Sequence, residues 1–183
     1  AYPPMFVSST EQLEQCLRAA KLHQCPHCKR SGTLIGHGFL RGYAEHGSER
    51  VIRGRRLFCS DRFLQHGCGR TVAILLDTVL RAFSVRTATL FTWVMTVAAG
   101  SSIRAAWRSA AQGFALSSAY RLWHRVLGAQ STWRTRLLTR CGPPESHSSE
   151  PFAQLLDHFW VALAPCECPF SAFQRVLQTS LLP

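Results

Sequence analysis

The sequence predicts an α+β fold, with a turn-rich β region in its first 70 residues and a mainly helical remainder. Three observations predict it. Most of the 12 glycines fall between residues 25 and 70, around short runs rich in β-branched and aromatic residues. A Cys-x-x-Cys pair opens that stretch, and two further cysteines close it. Beyond residue 76, apolar residues recur at helical spacing between serine caps and glycine stops.

Length and charge bound the possibilities. At 183 residues the chain holds one ordinary domain or two small ones, and a 46% hydrophobic fraction supplies a packed core. The formal net charge is +11, unevenly placed. Residues 1–140 carry +14 and residues 141–183 carry −3, a basic body with a mildly acidic end. That pattern suits a polyanion-binding module followed by a contact segment. Only Lys21 and Lys29 are lysine; every other basic residue is arginine, whose planar fork matches phosphate and guanine. A GC-rich genome accounts for part of the arginine bias, but not for the shortage of acids. The opening residues show neither a positive segment nor a long apolar core, and no run is long enough to span a bilayer. A soluble, cytoplasmic protein is the expectation.

The elements follow in order. Residues 8–22 form an amphipathic helix capped by Ser9 or Thr10, with Leu13, Cys16, Leu17 and Ala20 on its buried face. Residues 33–39 and 51–59 read as strands. Residues 71–76 are either a last strand or an extended lead into the first helix of the next domain. Ser84 caps a helix over residues 85–99, Ser101 or Ser102 caps residues 103–111, and Ser117 caps a long helix to about residue 140. The breaks fall at Gly100, Gly113 and Gly142-Pro143-Pro144. Residues 142–151 are linker-like, and two short helices follow over 152–163 and 170–182. The expected domains are therefore 1–70, 71–141 and 142–183.

Cys25-Pro26-His27-Cys28 is followed by Cys59 after 30 residues and by Cys68 after eight more. Two cysteines two residues apart can point both sulfurs at one metal, and a distant pair closes a structural Zn²⁺ site. Such a site supplies folding energy to a region with little core. The wide second gap fits an insertion at residues 61–67; His66 competes with Cys68 as the fourth ligand, and His23 or His27 can substitute elsewhere. A redox Cys-x-x-Cys calls for a thioredoxin-like setting that the glycine-rich flanks do not offer. With one Zn²⁺ on four thiolates the chain's charge becomes about +9. The region is accordingly zinc-ribbon-like. Cys141, Cys166 and Cys168 read as incidental thiols.

Residues 102–113 and 114–125 have helix-turn-helix grammar. Ile103, Ala106, Trp107 and Ala110 share one face of the first helix. In the second, Tyr120 or Leu122 packs inward with Trp123, Val126 and Leu127, leaving Ser117, Ser118, Arg121, His124 and Arg125 to face duplex DNA. Arg121 is the expected base contact; Arg104, Arg108 and Arg125, with Arg134 and Arg136 further along, are expected phosphate contacts. Arg53, Arg55 and Arg56, on the strand before Cys59, add a further basic stripe near Phe39, Tyr43 and Phe58.

The Cys-Pro-x-Cys knuckle, Gly36-His37-Gly38, Arg55-Arg56-x-x-Cys59 and Gly67-Cys-Gly-Arg-Thr71 resemble the zinc-ribbon and helix-turn-helix regions of bacterial insertion-sequence transposases and their accessory proteins. The resemblance covers roughly residues 23–128. It implies recognition of element ends or targets, with Cys25, Cys28, Cys59 and Cys68 as ligands and residues 117–125 as the reading helix. Such transposases continue into a catalytic domain with three metal-binding carboxylates. Here Asp61, Asp77, Asp157 and seven glutamates are all the acids there are, and about 40 residues after the linker are too few for that domain. The expectation is therefore a DNA-binding accessory factor without catalytic activity, recruiting a recombinase through residues 150–183 and capable of self-association. A transcriptional regulator, or an RNA-binding or assembly component, shares the same chemistry.

Overall fold

The computed structural model of this chain describes residues 4–62, 64, 66–145 and 148–182. The α+β expectation holds: a four-stranded mixed sheet precedes a helical region. Strands β1 (Met5–Val7), β2 (Leu34–Tyr43), β3 (Arg50–Cys59) and β4 (Thr71–Leu76) lie in the order β1-β4-β3-β2. The last three form an antiparallel meander, while β1 runs parallel to β4 with Phe6 opposite Leu75. Thr71–Leu76 is thus a full member of the sheet, not a lead into a helix, and the sheet extends past residue 70.

Helix α1 (Thr10–Arg18) is capped by Ser9, whose hydroxyl accepts from the Gln12 amide. It is shorter than its sequence pattern; the chain tightens into a single 3-10 turn at Ala20–Leu22. Its apolar face closes a small core with Leu13, Ala20, Leu34, Leu57, Val72 and Ile74. Both hairpin strands outrun the sequence-based expectation. β2 continues past residue 39 through Gly42 by shifting register beside Phe39 and Leu40. Gly54 sits where β3 meets β4; a Cβ there would collide with the Ile74 carbonyl.

Five helices follow: α2 (Thr87–Ala98), α3 (Ile103–Ala110), α4 (Leu116–Leu138), α5 (Pro151–Leu163) and α6 (Pro169–Leu177). Ser102 caps α3 as expected, accepting from the Ala105 amide. Two other caps are corrected. Arg86, not Ser84, occupies the start of α2, because Val79 and Arg86 form a bridge that holds the backbone extended there. Ala115 takes the cap position and α4 starts at Leu116, which places Ser117 inside the first turn. Helix α4 stops at Leu138, and α6 stops at Leu177 because Gln178 turns left-handed, with φ of 46°.

Tryptophans organise the helical core. Trp93 on α2 meets Trp107 on α3 edge-on at 4.9 Å and Trp123 on α4 at 5.7 Å. The indole N–H groups of Trp93, Trp107 and Trp133 donate to the carbonyls of Ile103, Phe114 and Leu181. Each large ring is therefore buried without an orphaned donor. The C-terminal helices are not a loose appendage. Phe159 and Phe170 pack 5.4 and 5.3 Å from Trp133, and both helices share one core with α2–α4. The reason is composition: Phe152, Leu155, Leu156, Phe159 and Phe173 give these helices broad apolar faces, which pack against each other and against α2 and α4.

Candidate metal centre and basic surfaces

The first knuckle forms because the chain reverses sharply after Cys25. The Lys29 amide donates to the Cys25 carbonyl at 2.7 Å, the Cys25 amide donates to Arg30 at 2.9 Å, and Lys29 takes a left-handed φ of 62°. Both sulfurs then point the same way. The second pair lies at the root of the β3–β4 connection. Cys59 donates its amide to the Arg70 carbonyl at 2.8 Å, and Gly69 donates back to Cys59 at 3.0 Å. The Gly67 amide donates to the Ser60 carbonyl at 2.9 Å, which holds the residue before Cys68 beside the one after Cys59. The wide gap therefore leaves the two cysteines adjacent.

All four sulfurs, from Cys25, Cys28, Cys59 and Cys68, lie within 4.8 Å of one another. Cys25 and Cys68 are 3.8 Å apart, and Cys28 and Cys59 are 3.7 Å apart. A disulfide would need about 2.05 Å. A tetrahedron with metal–sulfur bonds of about 2.3 Å has edges of about 3.8 Å. The cluster is a donor set that can hold a metal ion such as zinc. His23, His27 and His66 are not members of it.

The sulfurs of the cluster differ in their protonation. Burial pushes the Cys25 thiol up to about 11 and also raises Cys68. Burial is the largest influence on Cys59 too, but it is outweighed by the Thr33 hydroxyl and the Cys68 amide, each 3.2 Å from the sulfur, which bring the thiol down to about 7. The Cys68 amide donates to the Cys59 sulfur, while the thiol donates to the Thr33 hydroxyl; such partners orient a ligand sulfur.

The expected DNA-facing residues divide into two groups. Arg104 and Arg108 on α3, with Ser117, Arg121, His124 and Arg125 on α4, are exposed, while Ser118 is half-buried and accepts from Arg121 at 3.4 Å. Arg125 also lies 6.0 Å above the Phe83 ring. Leu122 and Val126 pack inward as expected, but Tyr120 and Leu127 face solvent because they fall off the buried stripe of α4. Arg134 is tied to the Pro151 carbonyl at 2.6 Å, while Arg136 is exposed.

On β3 the stripe is split. Arg53 turns inward, and its Nη2 donates to the Leu80 carbonyl at 2.8 Å and to the Phe83 carbonyl. Burial, helped by the nearby Arg86 charge, lowers its pKa. Its role is to fasten the sheet to the loop before α2. Arg55 lies 3.8 Å from the centre of the Phe39 ring and 3.9 Å from the Glu14 carboxylate, on the face covered by α1. Arg56 alone of the three is exposed. Alternation across the strand, disturbed by the register shift, sorts them; sequence adjacency had grouped them.

A groove of about 880 Å³ lies on the opposite face of the sheet, and Arg70 and Arg81 join Arg41, Arg53 and Arg56 along it. Sequence reasoning left out Arg70 and Arg81, because no local spacing links residues that only the fold brings together. Among the described residues, no helix is long and apolar enough to cross a membrane. Comparison of the chain with protein-family models, with curated proteins and with solved structures returns no match.

Proposed function

We propose that this chain is a zinc-stabilised, sequence-specific double-stranded-DNA-binding protein that serves transposition or recombination as an accessory factor. The observation that carries the reading is the display on α3 and α4. Arg104, Arg108, Arg121, His124 and Arg125 are exposed along two helices locked together by Trp93, Trp107 and Trp123, and no acidic residue occurs between Asp77 and Glu145. A rigid mount matters because base readout requires side chains held in register with the groove. Arg121, one turn into α4, is suited to a bidentate contact with guanine, and the flanking arginines to phosphates.

The four cysteines supply the zinc half of the reading. Their sulfurs already stand at the spacing of a tetrahedral site, and the ion would fasten the first knuckle to the β3–β4 hairpin. The role in element mobility rests on the resemblance of residues 23–128 to insertion-sequence proteins. Recruitment of a separate recombinase is the remaining part of that role.

Selection from a random duplex library, with zinc measured on the same sample, tests both halves. The expected result is one enriched motif, lost on Arg121→Ala, with about one zinc per chain. Recovery of no motif from the wild-type chain overturns sequence-specific binding, and a metal-free, fully folded sample overturns the zinc assignment. An excision assay on an element carrying the motif then separates mobility from transcriptional control.

A further inference from the structure

We propose that the groove on the open face of the sheet is a second nucleic-acid contact, which seats the sugar–phosphate backbone of duplex DNA flanking the site read by α4. This inference rests on the DNA-binding reading above and adds a separate surface to it.

Five arginines line the groove: Arg41 from β2, Arg53 and Arg56 from β3, Arg70 just before β4, and Arg81 from the loop before α2. Among the described residues the lining contains no Asp or Glu. Arg41, Arg56, Arg70 and Arg81 are exposed, while Arg53 is bonded to the loop that forms one wall. Several positive charges along one concavity, with a low-dielectric floor and a single carboxylate, Asp61, beside Gly69 at the rim, concentrate positive potential there. The complementary ligand is an extended polyanion.

The chemistry narrows the choice further. Leu40, Ala73, Leu75, Val79 and Leu80 provide the apolar part of the lining, and among the described residues it holds no Phe, Tyr or Trp. Single strands are gripped by stacking successive bases on several aromatic rings, and among the described residues His27 is the one ring in this lining. A duplex backbone needs only charges and a concave seat, and both are present.

Position ties the groove to the reading helix. Arg53 donates to the Phe83 carbonyl, and Arg125 of α4 lies 6.0 Å above the Phe83 ring. Phe83 therefore stands between the two basic surfaces. A duplex whose major groove meets α4 continues past Phe83 toward the sheet, where its backbone meets the arginines.

The test uses the full chain and a duplex carrying the selected motif with long flanks, and follows affinity against salt. The Arg56→Gln/Arg81→Gln variant is compared with wild type, with melting temperature and zinc content as folding controls; Arg41→Gln/Arg70→Gln serves if the first pair does not fold. Each lost phosphate contact lowers the slope of log K against log salt by about 0.9, so the double variant should lose about 1.8. A fourfold rise in salt should then cost the variant about twelvefold less affinity than wild type. The enriched motif should stay the same, and trimming the flanks on the wild-type side should reproduce the loss. An unchanged slope in a folded variant overturns the groove while leaving α4 as the reader. A slope that falls as expected, with no motif in the wild-type chain, upholds the groove and overturns sequence-specific reading. Tighter, groove-dependent binding of single-stranded DNA overturns the duplex assignment.

Discussion

Gln174 Nε2 donates to the Asp77 carbonyl at 2.8 Å, joining the last helix to the end of the sheet across 97 residues of sequence. The same amide nitrogen reaches the Val79 carbonyl at 2.9 Å, and its oxygen accepts from the Leu181 amide at 3.0 Å. Gln174 is buried, so no water replaces these partners. Gln174→Leu should therefore lower stability by about 1–3 kcal/mol for each backbone group it strands. Denaturant unfolding of the variant and wild type checks this.

Ending the chain at residue 150 should abolish cooperative unfolding of the helical region. Trp133, Leu137 and Leu122 are fully buried in a core that includes Phe159, Phe170 and Phe173, and removal of α5 and α6 exposes that core to water. Loss of near-ultraviolet circular dichroism and gain of dye binding would mark the collapse. A truncated chain that melts sharply at the wild-type temperature would show that the two helices are dispensable.

Cys59→Ser should reduce bound zinc and lower the melting temperature, because it removes one of four sulfurs in the cluster. His66→Ala should leave the zinc content unchanged, since His66 is not in that group. Metal analysis on the two purified variants, side by side, tests the ligand set. A chelator should likewise melt the sheet before the helices, whose core is separate.

Asp77 gives the fold a defined response to pH. Burial raises its pKa, against the opposing pull of the Arg175 guanidinium 3.0 Å away. A carboxyl whose folded pKa is raised binds its proton more tightly in the native state, so its contribution is full below the unfolded value and is lost as pH rises through the folded one. Asp77→Asn should remove that loss. The difference in unfolding free energy between wild type and variant, followed from about pH 4 to about pH 7, should therefore change with a sign that disfavours wild type as pH rises. Taking the difference cancels the separate effect of zinc release.

The legible parts of this chain were the ones governed by neighbours in sequence. Ser9 and Ser102 cap the helices they precede, and Gly100 and Gly113 end helices with φ values of 98° and 87°. The Cys25–Cys28 knuckle is likewise a local turn, and its partners at Cys59 and Cys68 follow from the need for four ligands. Ser84 and Ser117 show where that logic stops. Each is a good cap by composition, yet a bridge between Val79 and Arg86 and an earlier start at Leu116 take precedence. Strand β1 is beyond any local rule, because Met5–Val7 is a strand only by virtue of β4 beside it. The same applies to the grooved face, where Arg41 and Arg81 meet only after the sheet and the following loop have formed.

Phe6 and Gln178 exchange two hydrogen bonds, the Phe6 amide donating to Gln178 Oε1 at 2.8 Å and Gln178 Nε2 donating to the Phe6 carbonyl at 2.9 Å. The glutamine thus occupies the place that another strand's backbone would take beside β1. These residues stand 172 positions apart. At a synthesis rate of about 5–20 residues per second, roughly 9–35 seconds separate their emergence from a ribosome. In the later part of that interval, once β4 has emerged and paired with it, the first strand waits with its outer edge uncovered and open to pairing elsewhere.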